Sequence, residues 1–235
     1  MLEHVGDLLI APPNLGDFNP RSVLTPGGCP IEWTFSSRPS DVRYMLDIHP
    51  RQVPEALKPL VGGLPYCWLN VQKTPQQSTY QLVKPHGWTD PDPLFMEDCV
   101  PVLAGFSGPK QATEVHYLYH PGTQGLEKLL EQQHPEWLPA FWNDLRFLTR
   151  QPHRRLPHRT PITLIVRDHE VSVHIPSSAL FLDERLARQR LGQWFSSEAY
   201  TSAMQHTGLI HTTVGWEFSR TGLVRTVGVT LRTWR

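Results

Sequence analysis

The side chains that could do chemistry lie on the polar faces of short, alternating segments. Glu32, for example, stands in Ile31–Ser36, where apolar and polar residues alternate. Carboxylates and imidazoles are the usual general acids and bases in enzymes. We therefore predict that the catalytic residues are four such groups on the polar faces: Glu32, Asp47, His174 and Glu217.

The segments that must position these groups form five predicted strand pairs. Three further segments have helical spacing: Pro54–Val61, Leu126–Thr149, which Pro135 should split, and Leu182–Met204. Antiparallel hairpins separated by helices disfavour a parallel βαβ sheet. The predicted pairs are 31–36 with 42–48, 66–73 with 78–84, 100–106 with 113–119, 162–167 with 171–175, and 212–218 with 224–231.

Nearly every predicted strand has one apolar and one polar face. A β-sandwich would turn the polar faces to water. The helices, however, need an apolar surface to cover, and the apolar strand faces provide it. We therefore predict an α+β fold: a closed antiparallel barrel of αββα repeats, with helices outside and a polar lumen. The lumen would collect titratable groups, as active sites do: Glu32, Arg43, Asp47, Arg167, His174, Glu217 and Arg232.

Length and composition narrow the possible functions. The 235 residues suit one domain, 1–235. Lys and Arg balance Asp and Glu at 22 each, which argues against a general nucleic-acid surface. The basic stretch 153–159 is interpreted as a solvated linker. No apolar run is long enough to cross a membrane, and the first residues do not resemble a secretory signal.

The cysteines indicate neither a zinc site nor a disulfide framework. Cys29, Cys67 and Cys99 are far apart, and none belongs to a CxxC pair. Together with the absence of a secretory signal, the odd number of cysteines predicts a reducing, cytoplasmic location. We expect no metal.

Several motifs resemble the aromatic prenyltransferases of the dimethylallyltryptophan synthase type. Gly28-Cys29-Pro30-Ile31-Glu32 is similar to the Gly-x-Pro-x-Glu run on that family's first strand, and Arg43-Tyr44 to the Arg-aromatic pair on its second. The stretches 102–121 and 212–231 are similar, more loosely, to a later repeat and to the closing hairpin. The resemblance implies the ABBA fold, also called the PT barrel.

The resemblance also implies a reaction and roles for residues. A prenyl group would move from an allylic diphosphate to an indole-like or phenolic acceptor in natural-product biosynthesis, without a metal or another cofactor. Glu32 would hydrogen-bond the acceptor, Arg43 would hold the diphosphate, and aromatic rings would shield the allylic cation. The predicted ligand-binding residues are Arg43, His116, Tyr117, Tyr119, Arg167 and Arg232.

The sequence departs from the family pattern where diphosphate-binding lysines are expected. Residues 114–119 contain no lysine, and 161–167 contain neither lysine nor tyrosine. Two alternatives therefore stay open: an acid/base enzyme, such as a cyclase or isomerase, and a noncatalytic binding barrel. Clustered cations in the lumen would favour prenyl transfer. Paired carboxylates or a His–carboxylate pair with few cations would favour acid/base chemistry, and a plugged interior would favour simple binding.

Overall fold

The computed structural model describes residues 31–38, 41–48, 50–53, 55–64, 67–73, 78–87, 90, 99–108, 112–120, 125–151, 162–168, 170–206 and 208–232. The strands are β1 Ile31–Ser36, β2 Val42–Ile48, β3 Cys67–Lys73, β4 Ser78–Pro85, β5 Cys99–Phe106, β6 Glu114–Tyr119, β7 Ile162–Arg167, β8 Glu170–Pro176, β9 Leu209–Ser219 and β10 Gly222–Leu231. The α-helices are α1 Gly125–Gln133, α2 Leu138–Thr149, α3 Ser177–Leu180, α4 Glu184–Trp194 and α5 Glu198–Ala203, with short 3₁₀ helices at Pro50–Gln52, Glu55–Val61 and Pro135–Trp137.

The strands form one closed antiparallel barrel in the order β1-β10-β9-β8-β7-β6-β5-β4-β3-β2. Each strand pairs with its neighbours in sequence, and β10 closes the ring on β1, with Trp33 opposite Val229 and Phe35 opposite Val227. Closure leaves no exposed sheet edge. The closed antiparallel barrel predicted from the strand pattern is confirmed.

The two ends of the barrel differ in the elements that lie next to them. At one end, here called the hairpin end, β1, β3, β5, β7 and β9 end and the strands that follow them begin. At the other end, here called the helix end, β6 and β8 end before α1–α2 and α3–α5 follow in the chain.

The predicted element boundaries are close but not complete. Pro135 separates α1 from α2 as predicted. The predicted helix 182–204 is instead two helices, because Ser197 starts a new one by accepting a hydrogen bond from the Tyr200 amide. The start of β9 lies at Leu209, three residues before the predicted Thr212. Residues 28–30 of the motif, Cys29 and the basic stretch 153–159 lie outside the described residues.

The main hydrophobic core lies outside the barrel wall, under the helices. Its centre is an aromatic cluster around Phe141 of α2, whose ring centroid is 4.9 Å from Trp142, 5.1 Å from Trp216 and 5.6 Å from Phe218. Trp216 and Phe218 alternate with polar residues on β9 and so project outward together. The apolar strand faces therefore support the helices, as the sequence predicts.

A smaller apolar cluster lies inside the barrel. Trp68, Val83 and Leu103 are buried together, and Met45 and Val102 pack against them. A bulge in β5 between Pro101 and Leu103 disrupts the alternation there, so that two consecutive side chains join this cluster. Contact with this cluster also explains why the apolar Met45 lies on an otherwise polar face of β2.

Buried polar contacts fix the helices to the wall. Asp144 of α2 accepts hydrogen bonds from the Trp216 indole at 3.1 Å and from Arg225 Nε at 2.6 Å. Glu184 of α4 is 2.9 Å from His211 Nδ1, and His211 Nε2 is 2.9 Å from the Tyr200 hydroxyl of α5. These contacts set the positions of α2, α4 and α5, where apolar packing alone would allow the helices to slide.

Replacing Phe141 with alanine should destabilise the fold by about 3–5 kcal/mol, because it removes the ring at the centre of the buried aromatic cluster. Phe147, on the same helix, is 46% exposed, and Phe147→Ala should change the free energy of unfolding by less than about 0.5 kcal/mol. Urea unfolding of the two variants checks this. Equal losses would contradict a core centred on Phe141.

Candidate active site

A cavity of about 770 Å³ opens at the hairpin end of the barrel. Most of its described lining is polar or charged, because the strands turn their polar faces inward. It is large enough for a small organic molecule. The described residues that line it are Arg38, Arg43, Ala56, Leu57, Asn70, Gln72, Thr79, Tyr80, Gln81, Ser107, Gly108, Arg167, Glu170 and Glu217.

Arg43 is the centre of an ionic network in this cavity. Its guanidinium bonds Asp41 through Nε at 3.4 Å and Nη2 at 2.9 Å. It also bonds both oxygens of Glu217, one of them from Nη2 at 3.1 Å. Since β2 and β9 are separated by β1 and β10, the Arg43–Glu217 pair spans part of the lumen. Both residues were predicted from the sequence as site residues, but their pairing was not.

A second network surrounds Arg167, which lies at the end of β7. Its Nε donates to Glu114 of β6, whose carboxylate is fully buried. The other carboxylate oxygen of Glu114 is 2.7 Å from His116 Nε2. Glu114 and His116 share a strand face because they are two residues apart. Arg167 lines the cavity, whereas Glu114 and His116 lie behind it, so His116 belongs to a buried His–carboxylate pair.

Burial and pairing together determine which groups in the lumen are charged. Burial alone would raise the pKa of Glu114, but the charges of Arg167 and His116 outweigh it and hold this pKa far below its ordinary value. The same balance, with Arg43 as the main partner, lowers the pKa values of Glu217 and Asp41. These carboxylates are therefore ionised at neutral pH, and each faces a guanidinium.

His174 of β8 behaves in the opposite way. Its pKa is lowered from 6.5 to about 4, mainly by burial; the charge of Glu217 opposes this shift, and the positive charges of Arg167, His116 and Arg43 add to it. The imidazole is thus neutral at neutral pH. Its ring fits because β9 has Gly215 opposite: a Cβ there would come within 2.7 Å of His174 Nδ1.

Glu32 lies deeper in the barrel, toward the helix end, and does not line the described cavity. Its Oε1 accepts hydrogen bonds from the Thr212 hydroxyl at 2.6 Å and the Thr213 hydroxyl at 3.2 Å. Two consecutive threonines reach one carboxylate because β9 has a bulge there, opposite the step from Gly228 to Val229. A Cβ at Gly228 would come within 2.7 Å of Glu32 Oε1. Glu32 is thus held inside the barrel by the two threonines and is not part of the ionic network of Arg43, Asp41 and Glu217.

The remaining predicted site residues lie elsewhere. Asp47 is buried on the inward face of β2. Burial of the neighbouring Cys67 thiol, together with the negative charge of Asp47, raises the pKa of that thiol to about 12. Tyr117 and Tyr119 are fully buried on the outward face of β6, and the Tyr119 hydroxyl accepts a hydrogen bond from the Leu126 amide of α1. They were predicted to bind the ligand, but they alternate with the inward-facing Glu114 and His116 and therefore face away from the lumen.

The prediction that Arg232 lines the lumen is wrong. It is exposed just beyond β10 at the helix end, where it lines a separate cavity of about 360 Å³ beside Glu184 and His211. The strand ends at Leu231, so the alternation that placed Arg232 with the inward residues no longer holds there.

Six residues of the cavity wall and its ionic networks were not predicted from the sequence: Arg38, Asp41, Glu114 and the amides Asn70, Gln72 and Gln81. A usable signal existed for two of them. Asp41 and Glu114 each stand two residues before a predicted ligand, Arg43 and His116, and such spacing puts side chains on one strand face. The amides carry no charge and gave no comparable signal.

Within the described residues, no group of three or more His, Cys, Asp or Glu side chains could hold a metal ion. The helices in those same ranges are too short or too polar to span a lipid bilayer.

The comparisons with known proteins give a fold likeness without a sequence match. No protein-family model and no curated protein matches the chain. Among solved structures, the chain is similar to 5-dimethylallyltryptophan synthase from Streptomyces coelicolor, with a TM-score of 0.60 and 11% identity over 87% of this chain and 82% of that one. It is also similar to the prenyltransferase PriB in its apo form, with a TM-score of 0.59 and 11% identity over 88% of this chain and 81% of that one.

The ten-stranded barrel with outer helices thus has the ABBA, or PT-barrel, fold of these prenyltransferases. This confirms the fold that the motifs around Glu32 and Arg43 implied. At 11% identity the likeness concerns the fold, and function must be argued from the wall of the lumen.

Arg43→Met should destabilise the fold by about 3–5 kcal/mol, because Asp41 and Glu217 would remain buried without their shared cation. Lys58→Met is the matched control: Lys58 pairs with Glu55 on the surface, and its loss should cost less than about 1 kcal/mol. Chemical denaturation measures both. Adding Glu217→Gln to Arg43→Met should recover part of the loss, and no recovery would contradict the ionic network.

His174 should make stability fall as pH falls from about 6.5 to about 4. In this window the unfolded chain binds a proton that the folded His174 does not, so acid favours unfolding by up to roughly 3 kcal/mol. Above about pH 6.5 this contribution is constant. Unfolding free energies at several pH values should show a shallower slope for His174→Asn than for wild type. His120→Asn, at an exposed position, should keep the wild-type slope, and an unchanged slope in His174→Asn would refute the assignment.

Proposed function

We propose that this chain is a small-molecule enzyme on a prenyltransferase barrel that works by proton transfer rather than by release of diphosphate. One observation carries the proposal: both strand-borne arginines of the cavity are already bound by carboxylates. Arg43 bonds Asp41 and Glu217, and Arg167 bonds Glu114. A diphosphate needs a surplus of positive charge around it, and these pairs do not supply that surplus.

The ionic pairs would resist displacement by a diphosphate. Four of the five N–H donors of a guanidinium can be used by two facing carboxylates, and Arg43 bonds both oxygens of Asp41 and of Glu217. Drawing Arg43 toward a phosphate would leave two buried carboxylates unpaired, at about 3–5 kcal/mol for a broken buried pair.

Acid/base chemistry is supported by the carboxylates and imidazoles themselves. Glu217 lines the cavity in its ionised form and is close enough to His174 for each to shift the other's pKa. Behind Arg167, Glu114 orients His116, the arrangement by which a carboxylate holds a catalytic imidazole in one tautomer. In this proposal Glu217 meets the substrate, Arg43 fixes Glu217, and His174 and His116 are the imidazoles available to exchange protons.

Prenyl transfer is the second candidate, and two observations favour it. Arg38 lines the cavity and has no carboxylate partner within the described ranges, and Arg167 bonds Glu114 through Nε, which leaves its Nη groups toward the cavity. The fold likeness to a dimethylallyltryptophan synthase and to a prenyltransferase points the same way. In that case an aromatic acceptor and an allylic diphosphate would be the substrates.

Inorganic diphosphate separates the two candidates. Under the proposal, it should not raise the melting temperature of the wild-type protein more than sodium chloride of equal ionic strength does. Glu217→Gln combined with Glu114→Gln should gain such a shift, because Arg43 and Arg167 then each lose a carboxylate partner. Glu131→Gln, at an exposed position on α1, is the control and should behave as wild type.

Turnover provides the second readout. Incubation with dimethylallyl or geranyl diphosphate and a panel of indoles and phenols should give neither a prenylated product by mass spectrometry nor free diphosphate. Diphosphate release together with a prenylated product from the wild-type protein would overturn the proposal and establish the second candidate. This measurement does not require the double variant to fold.

A further inference from the structure

The cavity has a wall of side-chain amides whose carbonyl oxygens remain available. Asn70 of β3 donates from Nδ2 to Gln81 Oε1 of β4 at 3.3 Å, and Gln72 donates from Nε2 to Asp41 at 3.0 Å. These bonds fix the two amides by their nitrogens. Asn70 Oδ1 and Gln72 Oε1 accept no hydrogen bond from any residue in the described ranges, so both can accept one from a ligand.

The other side of the barrel offers donors. Arg167 is anchored through Nε on the buried Glu114, and this single bond orients the planar guanidinium while its two Nη groups stay free within the described part of the chain. A guanidinium held in this way presents paired N–H donors at fixed spacing. The cavity therefore has acceptors on β3 and donors on β7.

The fixed charges disfavour an anionic ligand. Three carboxylates, Asp41, Glu217 and Glu114, face the two guanidinium groups of Arg43 and Arg167, which leaves one negative charge in excess. An anionic ligand would have to be desolvated without a spare buried counter-charge, which is costly. A neutral molecule that both donates and accepts many hydrogen bonds has no such cost.

The inward-facing lining of the cavity offers little apolar surface. Tyr80, at the cavity rim, lies opposite Val71 of β3 and alternates with Thr79 and Gln81, so its side chain is on the outward face of β4. A flat aromatic ligand buried among amides and guanidinium groups would lack apolar walls. A molecule that carries hydroxyl groups on its edges would instead meet polar partners on both sides of the lumen.

We propose that the hairpin-end cavity binds a neutral polyhydroxylated molecule, a sugar or cyclic polyol, with its hydroxyl groups on Asn70, Gln72 and Arg167. This rests on the proposed function, since it names the substrate class of the same site. Hydroxyl groups match both walls because a hydroxyl group can donate a hydrogen bond to an amide oxygen on one wall or accept one from the guanidinium group on the other.

Saturation-transfer difference NMR and thermal shift test this class. The probes are glucose, galactose, mannose, xylose and myo-inositol, with indole and phenol as aromatic comparisons of similar size. At least one polyol should bind, and neither aromatic compound should bind as tightly. Asn70→Leu should weaken polyol binding by about 5- to 100-fold, since it removes the amide oxygen but keeps the side-chain volume.

Two further variants keep the test sharp if Asn70→Leu does not fold. Gln72→Leu removes the second available amide oxygen of the cavity wall and should weaken the same polyol by about 3- to 10-fold. Gln193→Leu, on the exposed side of α4, makes a matched amide-to-leucine change far from the lumen and should leave binding unaltered. Polyol binding that survives both cavity variants, stronger binding of indole or phenol, or no polyol binding at all would each overturn the proposed class.

The failure of this inference can be told apart from failure of the proposed function. Wild-type binding of diphosphate with prenyl transfer overturns the proposed function, whichever polyol binds. Absence of polyol binding in a protein that also ignores diphosphate overturns only the substrate class named here.

Discussion

The interior of this barrel can hold Arg43 and Arg167 only because carboxylates hold them there. Each guanidinium comes from a strand whose alternation points it into the lumen, where an unpaired charge is costly. Asp41, Glu217 and Glu114 satisfy that requirement and at the same time become fixed, ionised groups. Structure and chemistry are thus linked at one place: the bonds that make the lumen stable also determine its electrostatic character.

Two glycines and two β-bulges make room for the groups inside the barrel. Gly215 and Gly228 lie where a Cβ would collide with His174 and Glu32. The bulge in β9 aims two threonines at Glu32, and the bulge in β5 adds a second apolar side chain to the cluster around Trp68. The lumen therefore has a charged cavity at the hairpin end and, below it, Glu32 with its threonines and the apolar cluster around Trp68, an arrangement that regular strands would not produce.

The fold and the lining of the lumen carry different information. The outer core around Phe141 and Trp216 needs only apolar surfaces of the right period, and many sequences can supply them, which fits a shared barrel at 11% identity. The lumen has no such freedom, because each charge depends on a specific partner. A barrel of the prenyltransferase type can for this reason keep its architecture while its chemistry changes, and the pairing of Arg43 and Arg167 is the feature that separates the two candidate functions.

The sequence alone determined the strands, their inward faces and the closed barrel, because alternation is local: Ile31–Ser36 and Val42–Ile48 have the same bounds in the structure as in the prediction. It also held the signal that Tyr117 and Tyr119 point outward, since they alternate with His116. Only the tertiary structure decided that Glu217 pairs with Arg43, 174 residues away, and that Arg232 lies outside the lumen. Partner choice across a closed barrel depends on register, bulges and strand ends, and these are properties of the assembled sheet.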